Sequence, residues 1–482
     1  METETYSARR KWIILCTCCL SLLIVSMDAT IVNVALPAIR RDLGASVSGL
    51  QWVIDIYTLV LASLLLLSGA MADRLGRRRI FQIGLVVFAL GSLLCSLSTS
   101  VEMLIAARFV QAIGGSMLNP VAMSIITQVF TGRAERARAI GVWGAVVGIS
   151  MALGPMVGGV LIDLLDWKAV FWINLPICAA AIILAAIFVP ESRSATVRKL
   201  DPLGQGLGIL FMASLISGLI EGPNLGWGDP RTLGIFALAL IGLVGFIRHE
   251  GRHASPFIDL RFFRSVPFAT ATVIGIVAFS AYGGFLFLMS NYLQNVRGYS
   301  AVHTGLIYLP IAIGTLIFSP ISGRLVGRYG TRPSLIASGL LLAVASVLLT
   351  TFTPTTPVWL LIIAFGLFGV GFGLVNAPIT TSAVSGMPRD RAGAASAVAS
   401  TSRQLGVSLG VAISGSIAGA AVTASDSAFT DAVQPLWWIT TGLALSITAL
   451  GIISTTGWAK STVEKTAFLF VSPSEPKAPA HV

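Results

Sequence analysis

The stretch Gly69-Ala-Met-Ala-Asp73-Arg74-Leu-Gly76-Arg77-Arg78-Arg79 places five charged residues between two long apolar runs. A weaker copy, Gly323-Arg-Leu-Val-Gly327-Arg328-Tyr-Gly330-Thr-Arg332, follows in the second half of the chain. The copies share glycines and arginines at equal spacing, whereas Gly327 stands where the first copy has Asp73. A duplicated basic hairpin between apolar runs indicates a transporter built from two related helical bundles.

The composition predicts an all-α integral membrane protein. Of 482 residues 55% are hydrophobic and 11% are charged, and the mean hydropathy is +0.86, which is more apolar than one soluble core can bury. A helix that spans a hydrocarbon layer of about 30 Å needs about 20 apolar residues. Fourteen such runs lie near 12–35, 50–71, 80–98, 102–127, 138–162, 169–189, 203–221, 232–248, 267–292, 304–325, 333–351, 358–383, 394–421 and 435–457.

The net charge of +11 raises the question of nucleic-acid binding, and the placement of the basic residues answers it. With Met1 on the inside, 25 of the 32 Lys and Arg residues fall in segments on that side, five fall on the opposite side and two lie within spans. Cytoplasmic loops of membrane proteins carry this excess of positive charge. The distribution predicts a multi-pass protein with both termini in the cytoplasm and no nucleic-acid partner.

The predicted helices group as six, two and six. We expect an N-terminal six-helix bundle at 1–196, two inserted helices with their linkers at 197–255, a C-terminal six-helix bundle at 256–460 and a flexible cytoplasmic tail at 461–482. The inserted helices carry no copy of the duplicated motif, and the sequence suggests no function for them.

Cysteine and histidine placement gives no sign of a metal site, a disulfide or a catalytic nucleophile. All five cysteines fall within apolar runs, where free cysteine acts as a small hydrophobic residue. The four histidines fall in loops, at helix ends or in the tail. We therefore expect neither an enzyme nor a bound metal or cofactor.

Charged residues inside predicted spans are costly and mark functional sites. Asp28 lies about sixteen residues into an outward-running helix and Arg108 about six residues into an inward-running one. At about 1.5 Å of rise per residue the two lie at similar depth, which predicts a buried pair. An acid that exchanges an arginine partner for a proton would couple transport to protons. The alternative is a static salt bridge.

Three further charges give less decisive signals. Asp55 lies near the outer end of its helix, where it is either a point of proton or substrate entry or a solvated helix end. Glu221 has the position of a boundary residue. Arg403, followed by Gln404, lies near the midplane, where only a cavity or an acidic partner makes an arginine tolerable.

Two other groups of residues bear on function. Glycine and proline are concentrated in the fifth run, where small side chains allow a neighbouring helix to approach closely: Gly148, Gly154, Pro155, Gly158 and Gly159. Candidates to line a substrate cavity are the polar or aromatic side chains Asn33, Tyr57, Tyr282, Phe285, Arg403, Gln404 and Glu221. Packing or lipid contact is the alternative for the aromatic ones.

These motifs together resemble the drug:proton antiporters of the major facilitator superfamily, specifically the fourteen-helix branch. The stretch 69–79 is similar to the loop signature of the superfamily, and 148–159 is similar to the fifth-helix signature of its antiporters. Four more stretches resemble signatures of the superfamily or of this branch, namely 28–37, 108–114, 167–176 and 393–410.

The resemblance implies rocker-switch alternating access, with a cavity between bundles 1–196 and 256–460. It implies that Asp73 and Arg77 hold the contact between the bundles in the outward-open state, within a conformational switch that also contains Gly69, Arg74, Gly76 and Arg78. The glycine-rich fifth helix would seal the bundle interface against proton leak. Asp28 and Arg108, together with Asp55, would couple protons to export.

We therefore expect a monomeric, proton-driven exporter of lipophilic, often cationic or aromatic compounds in a bacterial plasma membrane. Its partners would be the lipid bilayer, protons and small molecules, and the proton gradient would replace any cofactor. One alternative is an exporter or proton symporter of a specific metabolite, for which the glycine-rich fifth helix is less typical. Another is a non-transporting membrane sensor, which has no need of paired intramembrane charges.

Overall fold

The structure is a computed structural model that describes residues 6–193, 201–253, 256–385, 387, 392–419, 421 and 427–470. Within these ranges the chain is helical and contains no β-strand. This agrees with the predicted all-α class. The tail predicted to be flexible from residue 461 is instead helical up to residue 468, as part of the helix Gly457–Phe468, and its residues after 470 lie outside the described ones.

Fifteen helices are numbered here in chain order. The N-terminal group is α1 (Ala8–Leu43), α2 (Val47–Leu75), α3 (Arg77–Ser96), α4 (Val101–Val129), α5 (Arg133–Leu164) and α6 (Ala169–Phe188). The inserted pair is α7 (Pro202–Leu225) and α8 (Pro230–Glu250). The C-terminal group is α9 (Val266–Asn291), α10 (Ala301–Tyr329), α11 (Thr331–Leu349), α12 (Val358–Val384), α13 (Ala392–Ala418) and α14 (Ser427–Ile453), and α15 (Gly457–Phe468) lies in the tail.

The helices α1 to α14 coincide with the fourteen predicted spans. Twelve of them are long and apolar enough to cross a membrane. The other two are α5, whose described apolar part is Ile149–Leu164, and α13, which is enriched in serine and carries Arg403 and Gln404. The predicted end of the first span was too early, because α1 continues to Leu43 and stops at Gly44, whose φ of 63° ends the helix.

The contacts between the two six-helix groups lie toward the end opposite the chain termini, which we call the outer end. Here α5 packs against α10, and α2 packs against α13. The side-chain amide of Gln51 donates to the carbonyls of Val411 and Ala412 at 3.2 and 2.9 Å. The hydroxyls of Thr58 and Ser408 are 2.7 Å apart. We call this set of contacts, with those of Gly159 described below, the outer seal.

The carboxylate of Asp163 strengthens the outer seal by capping α10. It accepts hydrogen bonds from the backbone N–H groups of Ala301 and Val302 at 3.2 and 3.0 Å. An acidic side chain at a helix N-terminus satisfies free N–H groups and interacts favourably with the helix dipole. Asp163 belongs to α5, so this cap also joins the two bundles.

Toward the other end, which we call the inner end, the bundles diverge. In the inner half of α10, Ile317 and Tyr329 are 50% and 60% exposed. A Cβ built at Gly323 or Gly327 would have no neighbouring atom within 4 Å. The described contacts between the bundles therefore lie at the outer end, and the inner end is the side that the charge distribution predicts to face the cytoplasm.

The inserted helices pack on the flank formed by α2 and α13. The indole N–H of Trp52 donates to Glu221 at 2.8 Å, and the hydroxyl of Ser416 donates to the carbonyl of Leu219. Ile216 and Ile220 of α7 form a small apolar cluster with Ala412. Because these contacts include both α2 and α13, α7 lies alongside the interface between the bundles.

Candidate functional site

Asp28 and Arg108 form a buried ion pair, which confirms the pairing predicted from their depths. One carboxylate oxygen of Asp28 contacts a terminal guanidinium nitrogen of Arg108, and the two side chains are 0% and 1% exposed. The other oxygen accepts hydrogen bonds from the amides of Gln111 at 2.8 Å and Asn174 at 3.2 Å. Each carboxylate oxygen of Asp28 therefore has at least one partner.

Arg108 is held by groups from several helices. Its Nε donates to the carbonyl of Val53 at 3.1 Å, and its Nη1 donates to Gln111 at 2.7 Å. The guanidinium group lies 4.0 Å from the ring centroid of Tyr57 and 5.8 Å from that of Phe171. A cation over an aromatic face is stabilised electrostatically, more so where water is excluded.

The environment of this pair includes residues that the sequence analysis did not single out. Ser92 accepts from Gln111 at 2.8 Å and from Asn174 at 3.3 Å, so it connects the two amides. Gln111 follows Arg108 by three residues, the spacing that places two side chains on one helix face, and this signal was available in the sequence. Ser92 and Asn174 required knowledge of which helices pack together.

Tyr57 lies in this same network rather than on a cavity wall. Its ring covers Arg108, its side chain is fully buried, and its hydroxyl donates to the carbonyl of Val25 at 3.4 Å. The expectation that Tyr57 lines a substrate cavity is therefore wrong in this conformation. The cause is the rotational position of Tyr57 on α2, which points it toward α1 and α4.

Asp55 is buried, so its interpretation as a solvated helix end is wrong. Its exposure is 0%, and neither carboxylate oxygen has a hydrogen-bond partner within standard distance among the described residues. The hydroxyl of Ser408 on α13 lies beside it. The outer seal covers this end of α2, which the sequence of α2 alone does not reveal. Asp55 thus lies between the two bundles without a cation as partner.

Arg403 is half-buried on α13, and no acidic residue pairs with it among the residues that the structure describes. It donates to the hydroxyl of Thr380 at 2.5 Å and to the carbonyl of Asn376 at 3.4 Å, and it lies 5.8 Å from the ring centroid of Phe279. Gln404 next to it is also partly exposed. The alternative of a cavity, rather than an acidic partner, fits this environment.

The two aromatic cavity candidates on α9 belong to the core of the C-terminal bundle. Phe285 is 0% exposed and stacks on Phe368 with ring centroids 4.4 Å apart. Tyr282 is 5% exposed and stacks on Phe372 at 4.3 Å. Both expectations of a cavity-lining role are wrong for this conformation, because these faces of α9 turn toward α12.

Asn33 and Glu221, the remaining cavity candidates, lie at helix contacts. Asn33 is 3% exposed, and its amide donates to the carbonyl of Ala29 at 3.3 Å while its side-chain oxygen has no described partner. Glu221 accepts from Trp52 and, at 3.4 Å, from Asn224. The role of Glu221 is therefore to join α7 to α2, close to its predicted place at the helix boundary.

The charged residues of the predicted conformational switch lie together at the inner end. Asp73 pairs with Arg77 at 3.0 Å, and Arg77 also donates to Gln128 at 3.1 Å. These contacts lie within the N-terminal bundle. The resemblance assigns the contact between bundles to the outward-open state, and the present arrangement is the opposite one, so that role stays a prediction.

The turn between α2 and α3 requires glycine at position 76. Its φ of 116° is one that side chains rarely adopt, and a Cβ there would lie 2.6 Å from the carboxylate of Glu191. That carboxylate accepts from the backbone N–H groups of Arg78 and Arg79, each at 3.2 Å, at the N-terminus of α3. Gly69 and Arg74 lie on the last turns of α2, and Arg77 and Arg78 are the first two residues of α3.

The glycine motif of α5 produces the predicted close packing. A Cβ on Gly158 would lie 2.6 Å from the side chain of Ile31 on α1, and one on Gly159 would lie 2.7 Å from the carbonyl carbon of Ala301 on α10. Gly154 faces Thr30, and the carbonyl of Pro155 faces Gly305. The surroundings of Gly148 lie outside the described residues. Through its glycine backbone, α5 therefore packs closely against α1 of its own bundle and α10 of the other bundle.

The chain is similar to known transporters over most of its length. The sequence profile of the Major Facilitator Superfamily matches residues 18–411. Among curated proteins, the multidrug resistance protein Stp of Mycobacterium tuberculosis (strain CDC 1551 / Oshkosh) is 38% identical over 387 residues, which cover 80% of this chain and 72% of that protein. The tetracenomycin C resistance and export protein of Streptomyces glaucescens is 36% identical over 402 residues, covering 83% and 74%.

Among solved structures, a bacterial homolog of the human lysosomal transporter Spinster, in an inward-facing and unoccupied conformation, matches with a TM-score of 0.66. It shares 18% sequence identity, and the match covers 97% of this chain and 100% of that one. This likeness concerns the fold alone.

Proposed function

The chain belongs to the major facilitator superfamily, and we propose that it is a monomeric exporter that moves lipophilic compounds out of a bacterial cell in exchange for protons. The names of its relatives support export of drugs and antibiotics, since they are a multidrug resistance protein and a resistance and export protein. The proton gradient, rather than a cofactor, would supply the energy.

The buried pair of Asp28 and Arg108 carries this proposal. An ion pair removed from water is held by its own attraction and hydrogen bonds, and removing one charge leaves the other uncompensated. A proton on Asp28 would cancel its charge and free Arg108 to depend on Gln111 and the carbonyl of Val53. The pair can therefore exist in two charge states that favour different packing of α1 against α4.

Asp55 supports a second protonation step at the outer seal. A buried carboxylate without a cationic partner is costly, so it needs either a proton or a change of surroundings. Opening of the seal between α2 and α13 would expose Asp55 to water. In this proposal Asp55 exchanges protons with the outside while the molecule is outward-open, and Asp28 carries the coupling deeper in the bundle.

The substrate class follows from the opening between the bundles. Arg403 is a partly exposed cation beside Phe279, on a helix that also packs against α2 of the other bundle, so aromatic rings and carbonyl groups suit this position better than a second cation. We therefore propose aromatic lipophilic substrates first, and cations where they bind away from Arg403.

Transport assays test the proposal directly. Cells that contain the protein are loaded with ethidium or with a neutral aromatic dye and efflux is followed, or the dye is added outside inverted vesicles and uptake is followed, each with and without a protonophore. Export that stops when the protonophore is added supports proton-driven export. Export that continues unchanged contradicts proton coupling, and transport of no compound in the panel favours a dedicated metabolite transporter.

Removing the charge of Asp73 should slow the transport cycle. Asp73→Asn loses the ion pair with Arg77, so the inner end should exchange more slowly between its two packings, and the maximal rate should fall several-fold while the apparent affinity changes little. The measurement is initial efflux against substrate concentration. Asp229→Asn, which removes a similar exposed pair with Arg231 at the outer surface, is the matched control. Equal rates in the two variants would contradict a switching role for Asp73.

A further inference from the structure

The inner ends of the inserted helices bring together three titratable side chains that have no part in the proposed transport mechanism. Asp201 precedes α7 and accepts from the N–H of Gly204 at 2.9 Å. The Nε2 atom of His249 lies 2.9 and 3.0 Å from the two carboxylate oxygens of Asp201. The ring of His253 stacks on that of His249, with centroids 5.0 Å apart. We call Asp201, His249 and His253 the histidine cluster.

The donor atoms of the histidine cluster have the spacing of a metal site. One ligand atom from each of its three residues lies within 4.8 Å of the other two. Zinc binds imidazole nitrogen and carboxylate oxygen at about 2.0–2.2 Å in tetrahedral geometry, which separates the ligand atoms by about 3.3 Å. Small side-chain rotations of His249 and His253, which follow one another by one helical turn, would reach that spacing.

Glu250 adds a second buried carboxylate beside the cluster. It is 3% exposed, and one of its oxygens accepts from the N–H of Ile258 at 3.0 Å, while the other has no hydrogen-bond partner among the described residues. That free oxygen and a carboxylate oxygen of Asp201 both approach Gly204, where a Cβ would clash with the first and lie 2.7 Å from the second. A buried, unpartnered oxygen beside a second carboxylate is stabilised by a proton or by a bound cation.

A groove of about 410 Å³ leads to the cluster. It is lined by His249 and His253, by Leu203 and Leu207, and by Arg248 and Arg252. The two arginines are exposed to solvent, so their repulsion of a cation is screened. The groove gives an ion access and leaves room for water as a fourth ligand.

We propose that Asp201, His249 and His253 bind a divalent transition metal ion of the zinc class, with the carboxylate of Glu250 balancing its charge. Bound metal would fasten the beginning of α7 to the end of α8. Through the hydrogen bond of Glu250 to Ile258, it would also fix the connection that enters α9. The site gives the inserted pair a role in fixing the entry to the C-terminal bundle, independent of what the protein transports.

Metal titration of the purified full-length protein tests this inference. Metal-free protein in detergent, carrying no histidine tag, is titrated with Zn²⁺ by calorimetry and with Co²⁺ by visible absorption. We expect one ion per chain and a Co²⁺ spectrum of low coordination number. Because bound ligand stabilises the folded state, Zn²⁺ should also raise the melting temperature.

The variants His249→Gln and His253→Gln should each weaken Zn²⁺ binding by at least about tenfold. Loss of a residue that only positions a metal ligand lowers metal affinity by about 10–100-fold, and loss of the ligand itself usually lowers it more. His303→Gln is the matched control, because His303 is exposed at the start of α10 and lies outside the cluster. Monodisperse elution of each variant verifies folding. No binding to the native protein, or native affinity in the His249→Gln/His253→Gln double variant, would overturn the proposal.

Discussion

Asp28→Asn is expected to abolish uphill, proton-coupled export while leaving downhill exchange of substrate. Asparagine keeps the size of aspartate but can neither carry the charge nor exchange it for a proton. Asn174 can turn its amide so that its oxygen faces the new side-chain N–H, which limits the structural damage. Arg108 keeps its contacts with Val53, Gln111 and Tyr57, so the folded structure should persist.

Two assays on the same proteoliposomes separate coupling from structure. The first follows substrate accumulation driven by a pH gradient, which should fall to the background of empty liposomes. The second follows exchange of labelled for unlabelled substrate without a gradient, which should continue. Asp229→Asn, which removes a partly exposed acid at the outer end and keeps a side-chain oxygen that can cap α8, is the control for a general loss of charge.

The results distinguish the two interpretations of the buried pair. If the pair is a static salt bridge, Asp28→Asn should reduce both assays together; a lower melting temperature is expected in either case, since breaking a buried pair costs about 3–5 kcal/mol. If the variant accumulates substrate at the native rate, Asp28 has no part in coupling. Only loss of gradient-driven accumulation with retention of substrate exchange supports the proposed mechanism.

The depth of a residue along a membrane helix can be predicted from sequence, and this is why the pairing of Asp28 with Arg108 was found. The rise per residue is constant, so counting from the helix ends places two charges at equal depth. The close packing of Gly158 and Gly159 was predictable for a similar reason, because removal of side chains at regular spacing leaves a surface that only another helix can fill.

Rotational position was not predictable, and the aromatic candidates show this. α9 is apolar around its whole circumference, so no polar face indicates which way Tyr282 and Phe285 point. The burial of Asp55 depends on α13 and the bundle contacts that cover the outer end of α2, which are distant in sequence. In the histidine cluster, the spacing of His249 and His253 can be read from the sequence. The proximity of Asp201 cannot, because it depends on the packing of α7 against α8.

Gly159→Leu should prevent closure of the outer seal and so abolish transport. The three atoms nearest to a Cβ at this position are all backbone, among them the carbonyl carbon of Ala301 at 2.7 Å and the Cα of Val302 at 2.9 Å, so no side-chain movement relieves the clash. Overpacking of this kind costs about 1–3 kcal/mol, and a larger side chain adds to it. The cost applies only while α5 and α10 touch, so the variant should rest in the outward-open state.

Thiol labelling reports this shift. With the five native cysteines replaced, a cysteine at Ser408, which is 0% exposed in the seal, should react with a membrane-impermeant reagent several-fold faster in Gly159→Leu than in the native background. Gly141→Leu is the matched control on the same helix, because a Cβ at Gly141 has no atom within 4 Å.

The control should transport normally and leave Ser408→Cys protected. Equal labelling in the two leucine variants, or native transport by Gly159→Leu, would show that the contact of α5 with α10 does not control access. Faster labelling of Ser408→Cys in Gly159→Leu alone would instead show that the glycine motif takes part in alternating access. A leucine about five helical turns away from the contact, with the same increase in hydrophobicity, cannot produce that difference by a general effect on membrane insertion.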